Sequence, residues 1–132
     1  MGGNPSQESE TLQPVLRVIP MPGDTNAAGN IFGGWLMSQA DLAGSVVAMQ
    51  RARGTVVTVA VNAFQFYKPV RVGDIVTLYG TVTRVGNTSI TVEIVVFASH
   101  VSQTDLSNKV ADATITYVSI DENRNKRPVP PE

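Results

Sequence analysis

The pattern of apolar and polar positions changes character at Gly54. Before it, "GGWLMSQADLAGSVVAMQRARG" is a run of helix formers with Arg51 and Arg53 in the last turn and Gly54 at the C-cap, and it predicts one helix of about five turns. After it, Val, Thr, Ile, Phe and Tyr dominate four runs, "TVVTVAVNAFQF", "DIVTLYGTVTRV", "TSITVEIVVFASH" and "KVADATITYVSI", which predict strands. A shorter strand is predicted at "VLRVI", Val15 to Ile19, and it stops at Pro20 and Pro22 because neither proline can donate to a ladder. Gly86-Asn87 forms a two-residue break expected to be a tight hairpin, while "KPVRVGD" and "QTDLSN" provide longer connections.

Strand, long helix and four strands place a single helix against an antiparallel sheet, an α+β architecture. On a wheel of about 100° per residue, the neighbours of Asp41 within about 60° are Gly34, Met37, Ser38, Gly44, Ser45 and Ala48, nearly all small. The remaining arc carries Trp35, Leu36, Ala40, Leu42, Ala43, Val46, Val47 and Met49, broader than the stripe of a surface helix. The expectation is a sheet that curls around this bulky arc, leaving the small face with Asp41 towards a cleft or a second subunit.

Outside this core the ends change composition. Residues 1–13 are polar, with little to bury, and read as a loose tail. Residues 14–121 read as one domain, and 122–132 as a basic, proline-rich tail, poorly ordered or lying across the surface. With ten Lys and Arg against eleven Asp and Glu, no general field draws the chain to nucleic acid or to an acidic membrane. No cysteine and a single histidine remove thiol nucleophiles, disulfides and Cys-zinc sites, so no metal site is expected, and the composition fits a reducing, cytoplasmic compartment. Neither a signal peptide nor a membrane-spanning run is evident.

Candidate chemistry concentrates in "PGDTNAAGNIFGGWLMSQADLAG", Pro22 to Gly44. An isolated aspartate usually points to water. Here its face lacks the Lys, Glu and Arg of a solvated face, and Asp contributes little to helix stability at mid-helix. That face begins at Gly33-Gly34, where unpaired backbone N–H groups and the positive end of the helix dipole are available to an oxyanion. Glycines at such a junction also simply permit tight packing, and Asn26 and Asn30 are ordinary turn residues.

The whole string resembles the signature of the hotdog-fold acyl-CoA thioesterases, in particular their YciA-like branch: P-x-D-x-N-x-x-G-x-x-F/H-G-G, then an Asp eight residues after the first glycine of the pair. Pro22, Asp24, Asn26, Gly29, Phe32, Gly33, Gly34 and Asp41 occupy these positions, and the resemblance continues through "VVTVAV", "FYKPVRVGDIV" and "VGNTSI". It implies a hotdog fold, one long central helix wrapped by a curved antiparallel five-stranded sheet. Two such units would pair edge to edge as a homodimer with shared active sites, and three dimers would form a hexamer. Implied roles are Asp41 as general base or nucleophile, Gly33 and Gly34 as backbone donors to the thioester carbonyl, and Asn26 as the partner that orients water or substrate from the other subunit. No cofactor is implied beyond coenzyme A as part of the substrate, and no nucleic acid or membrane partner. Phe32 stands where other branches carry His and cannot polarise a carbonyl.

For coenzyme A the resemblance places "VGNTSI" near the nucleotide, which makes Arg84, Asn87, Thr88 and Ser89 candidate contacts, with Lys68 as a further cation. Met37, Trp35 and Phe64 are candidates to line an acyl slot, against the ordinary role of core packing. His100 lies far from the helix in sequence, has no acidic partner motif and reads as a surface imidazole, which argues against hydratase chemistry and a Ser-His-Asp triad. The function implied is hydrolysis of acyl-CoA thioesters to a carboxylic acid and coenzyme A. The alternative is a non-catalytic acyl-CoA-binding or sensing module of the same fold.

Overall fold

A computed structural model describes residues 13–100 and 108–132. The expected N-terminal tail up to residue 12, and residues 103–107 of the expected "QTDLSN" connection, lie outside the described residues. The elements are β1 (Leu16–Val18), a single 3-10 turn at Pro22–Asp24, α1 (Gly33–Ala52), β2 (Val56–Phe66), β3 (Ile75–Val85), β4 (Ser89–Ser99) and β5 (Lys109–Ser119). The strands form one antiparallel sheet in the order β1-β3-β4-β5-β2, and α1 packs against all four long strands. This is the hotdog fold, one helix held in a five-stranded antiparallel sheet.

Strand alternation supplies the core. Val76 and Leu78 of β3, Ile90, Val92, Ile94 and Val96 of β4, and Ala111, Ala113, Ile115 and Tyr117 of β5 are buried in the contact layer shared with Leu36, Ala40, Ala43 and Ala48 of α1. Gly80 belongs to the same layer: a Cβ there would approach Val47 Cγ2 to 2.9 Å.

The helix is turned from the expected setting: Leu36, Ala40 and Ala43 of the expected arc are buried, but so are Gly44 and Ala48 of the small face. Its sheet side is Leu36, Ala40, Ala43, Gly44, Ala48 and Ala52, whereas Leu42, at 54% exposure, and Val46 and Met49 face outward. Small residues let the helix backbone come close to the sheet, and the close approach at Gly44 is filled by the Tyr117 side chain. The bulky residues then form an apolar surface continuous in character with Val59 and Val61 of β2, both exposed.

The two sheet edges differ in kind. β1 is three residues long, a short edge that offers little to another chain. β2 is eleven residues long, mostly exposed, and bent by register shifts between Thr58 and Ala60 and between Val61 and Ala63.

The end of α1 and the β3–β4 turn both depart from the expected residues. The left-handed position is Arg53, with φ 51°, and not Gly54, whose N–H bonds Met49 O at 3.3 Å. The chain end holds this arrangement: the Arg53 guanidinium donates to Pro131 O at 2.5 Å and that of Arg51 to Pro130 O at 2.6 Å. The β3–β4 connection is three residues, Gly86 to Thr88, one longer than expected, and neither Gly86 nor Asn87 has positive φ. Its carbonyls are used by the rest of the fold, Asn87 O by Val129 N and Thr88 O by Ser119 N, each at 2.8 Å. After Ile120 the chain turns at Asp121, whose Oδ1 accepts the N–H groups of Asn123 and Asn125, and then crosses the end of the sheet. Arg127 Nη1 donates to Ala52 O at 3.0 Å and to Ser119 Oγ at 3.2 Å, satisfying a carbonyl at the helix end.

Candidate active site

The loop before α1 is fixed by its own polar side chains. Asp24 Oδ2 accepts Met21 N at 2.9 Å, and Thr25 Oγ1 donates to Pro22 O at 2.8 Å. Asn26 Oδ1 accepts the N–H groups of Ala28 at 2.9 Å and Asn30 at 3.2 Å, while Gly29 takes φ 86°, a conformation that glycine adopts without strain. Because Oδ1 is committed to the loop, what the Asn26 side chain has left to offer is its NH₂, as a donor. Phe32 N bonds Asp24 O at 3.0 Å, and Ile31 N bonds Val70 O at 2.9 Å, so the loop delivers the chain into α1 in one direction.

At the helix entrance, Trp35 N and Leu36 N both reach Phe32 O, at 3.0 and 3.4 Å. Among the described residues the N–H groups of Gly33 and Gly34 have no acceptor. The two glycines serve different ends. A Cβ on Gly33 would stand 3.0 Å from Phe66 Cζ, so this glycine makes room for an aromatic ring. A Cβ on Gly34 would meet nothing within 4 Å, so the chain itself leaves that space open.

Asp41 sits two turns on, half-buried, where α1 passes the facing pair Thr58 of β2 and Tyr117 of β5. Thr58 Oγ1 donates to Asp41 Oδ1 at 2.7 Å, and the Tyr117 hydroxyl lies 3.1 Å from the same oxygen and 3.0 Å from the Asp41 main-chain O. Among the described residues no donor reaches Oδ2. Burial first, and then the neighbouring Asp41 charge and hydrogen bond, hold the Tyr117 phenol far above the ordinary tyrosine range, so it is a permanent donor. Thr58 and Tyr117 are the site residues missed in the sequence. Neither strand singles them out, since β2 also carries Asn62 and Gln65 and β5 carries Thr114, Thr116 and Ser119, and only strand register brings the two together.

An open pocket of about 360 Å³ lies beside the entrance, lined by Ile31, Gly33, Leu36, Phe66, Tyr67, Pro69 and Val70, with Asn30 and Lys68 at its polar side. Met37, Trp35 and Phe64, the residues considered for an acyl slot, are not in its lining; Trp35 and Phe64 pack against the core, and the Phe64 ring stacks 4.8 Å from that of Phe66.

The candidate coenzyme A contacts fall at two ends of the sheet. Asn87, Thr88 and Ser89 share the β3–β4 turn, next to the exposed Arg84 at the end of β3. Lys68 lies beside Val110 at the start of β5 and donates to Asn108 Oδ1 at 2.8 Å, whereas Thr88 lies beside Ser119 at its end, about 30 Å away along the strand. His100 does have an acidic partner, contrary to expectation: its Nδ1 is 3.1 Å from Oδ1 of Asp74, which is 5% exposed. Ile90 faces Tyr117 in the β4–β5 register, and His100 follows ten residues later, so this pair is about 30 Å from Asp41's surroundings. No group of three or more metal-ligating side chains occurs among the described residues, and no helix there is long and apolar enough to cross a membrane.

Residues 28–103 match the Thioesterase superfamily. The chain is similar to the acyl-CoA thioester hydrolase YciA of Salmonella typhimurium, 44% identical over 118 residues that span 88% of this chain and 89% of that protein. Among solved structures it resembles a hexameric thioesterase of Yersinia pestis, with 43% identity, a TM-score of 0.86 and coverage of 92% of this chain and 98% of that one. It also resembles a hexameric broad specificity acyl-coenzyme A thioesterase solved as an aspartate-to-alanine mutant, with 42% identity, a TM-score of 0.85 and coverage of 92% and 89%.

Proposed function

Because the chain belongs to the YciA family of hotdog-fold acyl-CoA thioester hydrolases, we propose that Asp41 is the catalytic carboxylate of a site assembled between two copies of it. The observation that carries this reading lies on α1: acceptor-free amides at the entrance and, eight residues on, a carboxylate with one oxygen held and the other open. Within one chain the helix rise separates these groups by about 12 Å. Reacting groups must approach to about 3–3.5 Å. One carbonyl therefore needs amides from one subunit and a carboxylate from another.

Two-fold pairing along β2 meets that need. Antiparallel pairing lays the Phe66 end of one β2 beside the Val56 end of the other, and Gly33 packs at Phe66 while Asp41 is bonded to Thr58 near the Val56 end. Gly33 and Gly34 then face Asp41 of the partner subunit. Leu42, Val46, Met49, Val59 and Val61 supply apolar surface for such a contact, and three such dimers would make a hexamer, the state of the solved relatives.

The chemistry follows from the thioester itself. Its carbonyl has weak resonance stabilisation, and its thiolate leaves without a strong general acid. The amides of Gly33 and Gly34, with the helix dipole behind them, stabilise the oxyanion. Asp41 Oδ2 either removes a proton from the attacking water or attacks the carbonyl carbon, giving an anhydride that water opens. The NH₂ of Asn26 donates to the water or the carbonyl oxygen. The pocket at Leu36 and Phe66 takes the acyl chain. Arg84, Asn87, Thr88 and Ser89 meet the nucleotide, joined by Lys68 of the partner subunit, which the same antiparallel pairing carries to that end. The absence of cysteine fits a working place in the reducing cytoplasm.

The test is thiol release from short- to long-chain acyl-CoA esters by wild type and by Asp41→Asn. The expected loss in kcat is about 10²- to 10⁴-fold. Equal rates in the two proteins would overturn the assignment, and tight coenzyme A binding without turnover in wild type would make the chain a sensing module instead.

A further inference from the structure

We propose that Tyr117 is the positioning residue that holds the Asp41 carboxylate with Oδ2 facing the substrate; the proposal rests on the reading of Asp41 as the reacting group. Tyr117 is 0% exposed, and a buried phenol hydroxyl costs free energy unless it is bonded. Its only acceptors among the described residues belong to Asp41: Oδ1 at 3.1 Å and the main-chain O at 3.0 Å. The main-chain O is also within reach of the Ser45 hydroxyl, at 2.8 Å, which has Leu42 O at 2.9 Å as well; of the phenol's two acceptors the carboxylate oxygen is the stronger while Asp41 is ionised.

Together with Thr58, at 2.7 Å, Tyr117 saturates one side of Oδ1. Two donors converging on one oxygen fix the rotation of the carboxylate about its Cβ–Cγ bond, and Oδ2 is left with its lone pairs free for the proton of water or for the carbonyl carbon. The second acceptor gives the phenol an alternative while Asp41 is neutral, since it can turn to the main-chain O without leaving the site or losing its bond. The ring, which phenylalanine would keep, fills most of the volume, and the hydroxyl adds the bonds to Asp41. The helix makes way for it at a specific position: a Cβ on Gly44 would collide with the hydroxyl oxygen, so Gly44 is the space into which Tyr117 reaches.

The experiment compares wild type, Tyr117→Phe, Asp41→Asn and the double variant in steady-state hydrolysis of one acyl-CoA, with melting temperature measured on each. Tyr117→Phe is expected to lower kcat about tenfold, the scale of one hydrogen bond to a charged group, with KM unchanged. In the Asp41→Asn background the same change is expected to cost nothing further. A wild-type kcat in Tyr117→Phe overturns the proposal, and so does an equal fractional loss in both backgrounds, which would mark a packing effect. If Asp41→Asn itself keeps the wild-type rate, the assignment of Asp41 falls and this proposal falls with it. If Asp41→Asn is slow and Tyr117→Phe is not, only the positioning role fails.

Discussion

Among the described residues, the amides of Gly33 and Gly34 at the entrance of α1 lack acceptors and a side chain on Gly34 would touch nothing, whereas two turns later Asp41 Oδ1 has two donors and a side chain on Gly44 would run into Tyr117. Both stretches contain glycine, and for opposite reasons. At Gly44 the missing side chain is replaced by the chain's own phenol, and the result is a group held in place before any ligand arrives. At Gly34 the missing side chain is replaced by nothing in the chain. Unsatisfied donors beside open space mark where a ligand or a second subunit enters, and a saturated acceptor beside filled space marks a group prepared for it.

The largest change should come from disturbing the filled stretch. Gly44→Ala forces a methyl against Tyr117 and Ile94, and overpacking of this kind costs about 1–3 kcal/mol, set against about 1 kcal/mol of gained helix propensity. Its melting temperature should fall, and its kcat with it. Combining Gly44→Ala with Tyr117→Phe removes the atom in closest conflict, so the double variant should melt higher than Gly44→Ala alone while remaining slow. A double variant that melts lower would show that the hydroxyl is not what occupies the space.

A smaller and opposite response is expected at the entrance. Gly34→Ala adds a methyl to open space in a helix, so stability should hold or rise by up to about 1 kcal/mol. Activity should nevertheless drop by about tenfold or more, equivalent to about 1.4 kcal/mol in the barrier, because the methyl occupies room kept for substrate or partner. Calorimetry together with kcat separates the two glycines: one change harms fold and rate together, the other harms rate alone. Full activity in Gly34→Ala would remove the distinction between the stretches.

Much of this was legible in the sequence, and what was not has a common cause. Each long strand was marked by its own β-branched run, and the helix by its composition and glycine boundaries. The string from Pro22 to Asp41 could be placed on the fold because it occupies one loop and one helix, where spacing along the chain sets spacing in space. The setting of α1 was read only in part because a broad apolar arc carries no label saying which of its residues meet the chain's own sheet and which another molecule. Here Leu36 and the small residues took the sheet, and Leu42, Val46 and Met49 were left outward. Thr58 and Tyr117 were missed because they reach Asp41 only through the β2–β5 register, and Asp74 was missed as His100's partner because the two lie in different strand connections. The left-handed residue at the helix end shifted to Arg53 because the guanidinium is held by a carbonyl 78 residues away, a contact local preference does not see.

The claim on which the whole account depends is that the open entrance of one chain works with the held carboxylate of another. Subunit mixing tests it most directly. Asp41→Asn and Gly34→Val are each prepared as inactive protein, unfolded, mixed in equal amounts and refolded together. If sites form between copies, each mixed dimer regains one undamaged site, from the intact Gly34 of one chain and the intact Asp41 of the other, and the mixture should recover about a quarter of wild-type activity by random pairing. If each site is formed within one chain, every site in the mixture carries a lesion, and no recovery above the separate variants would contradict the account.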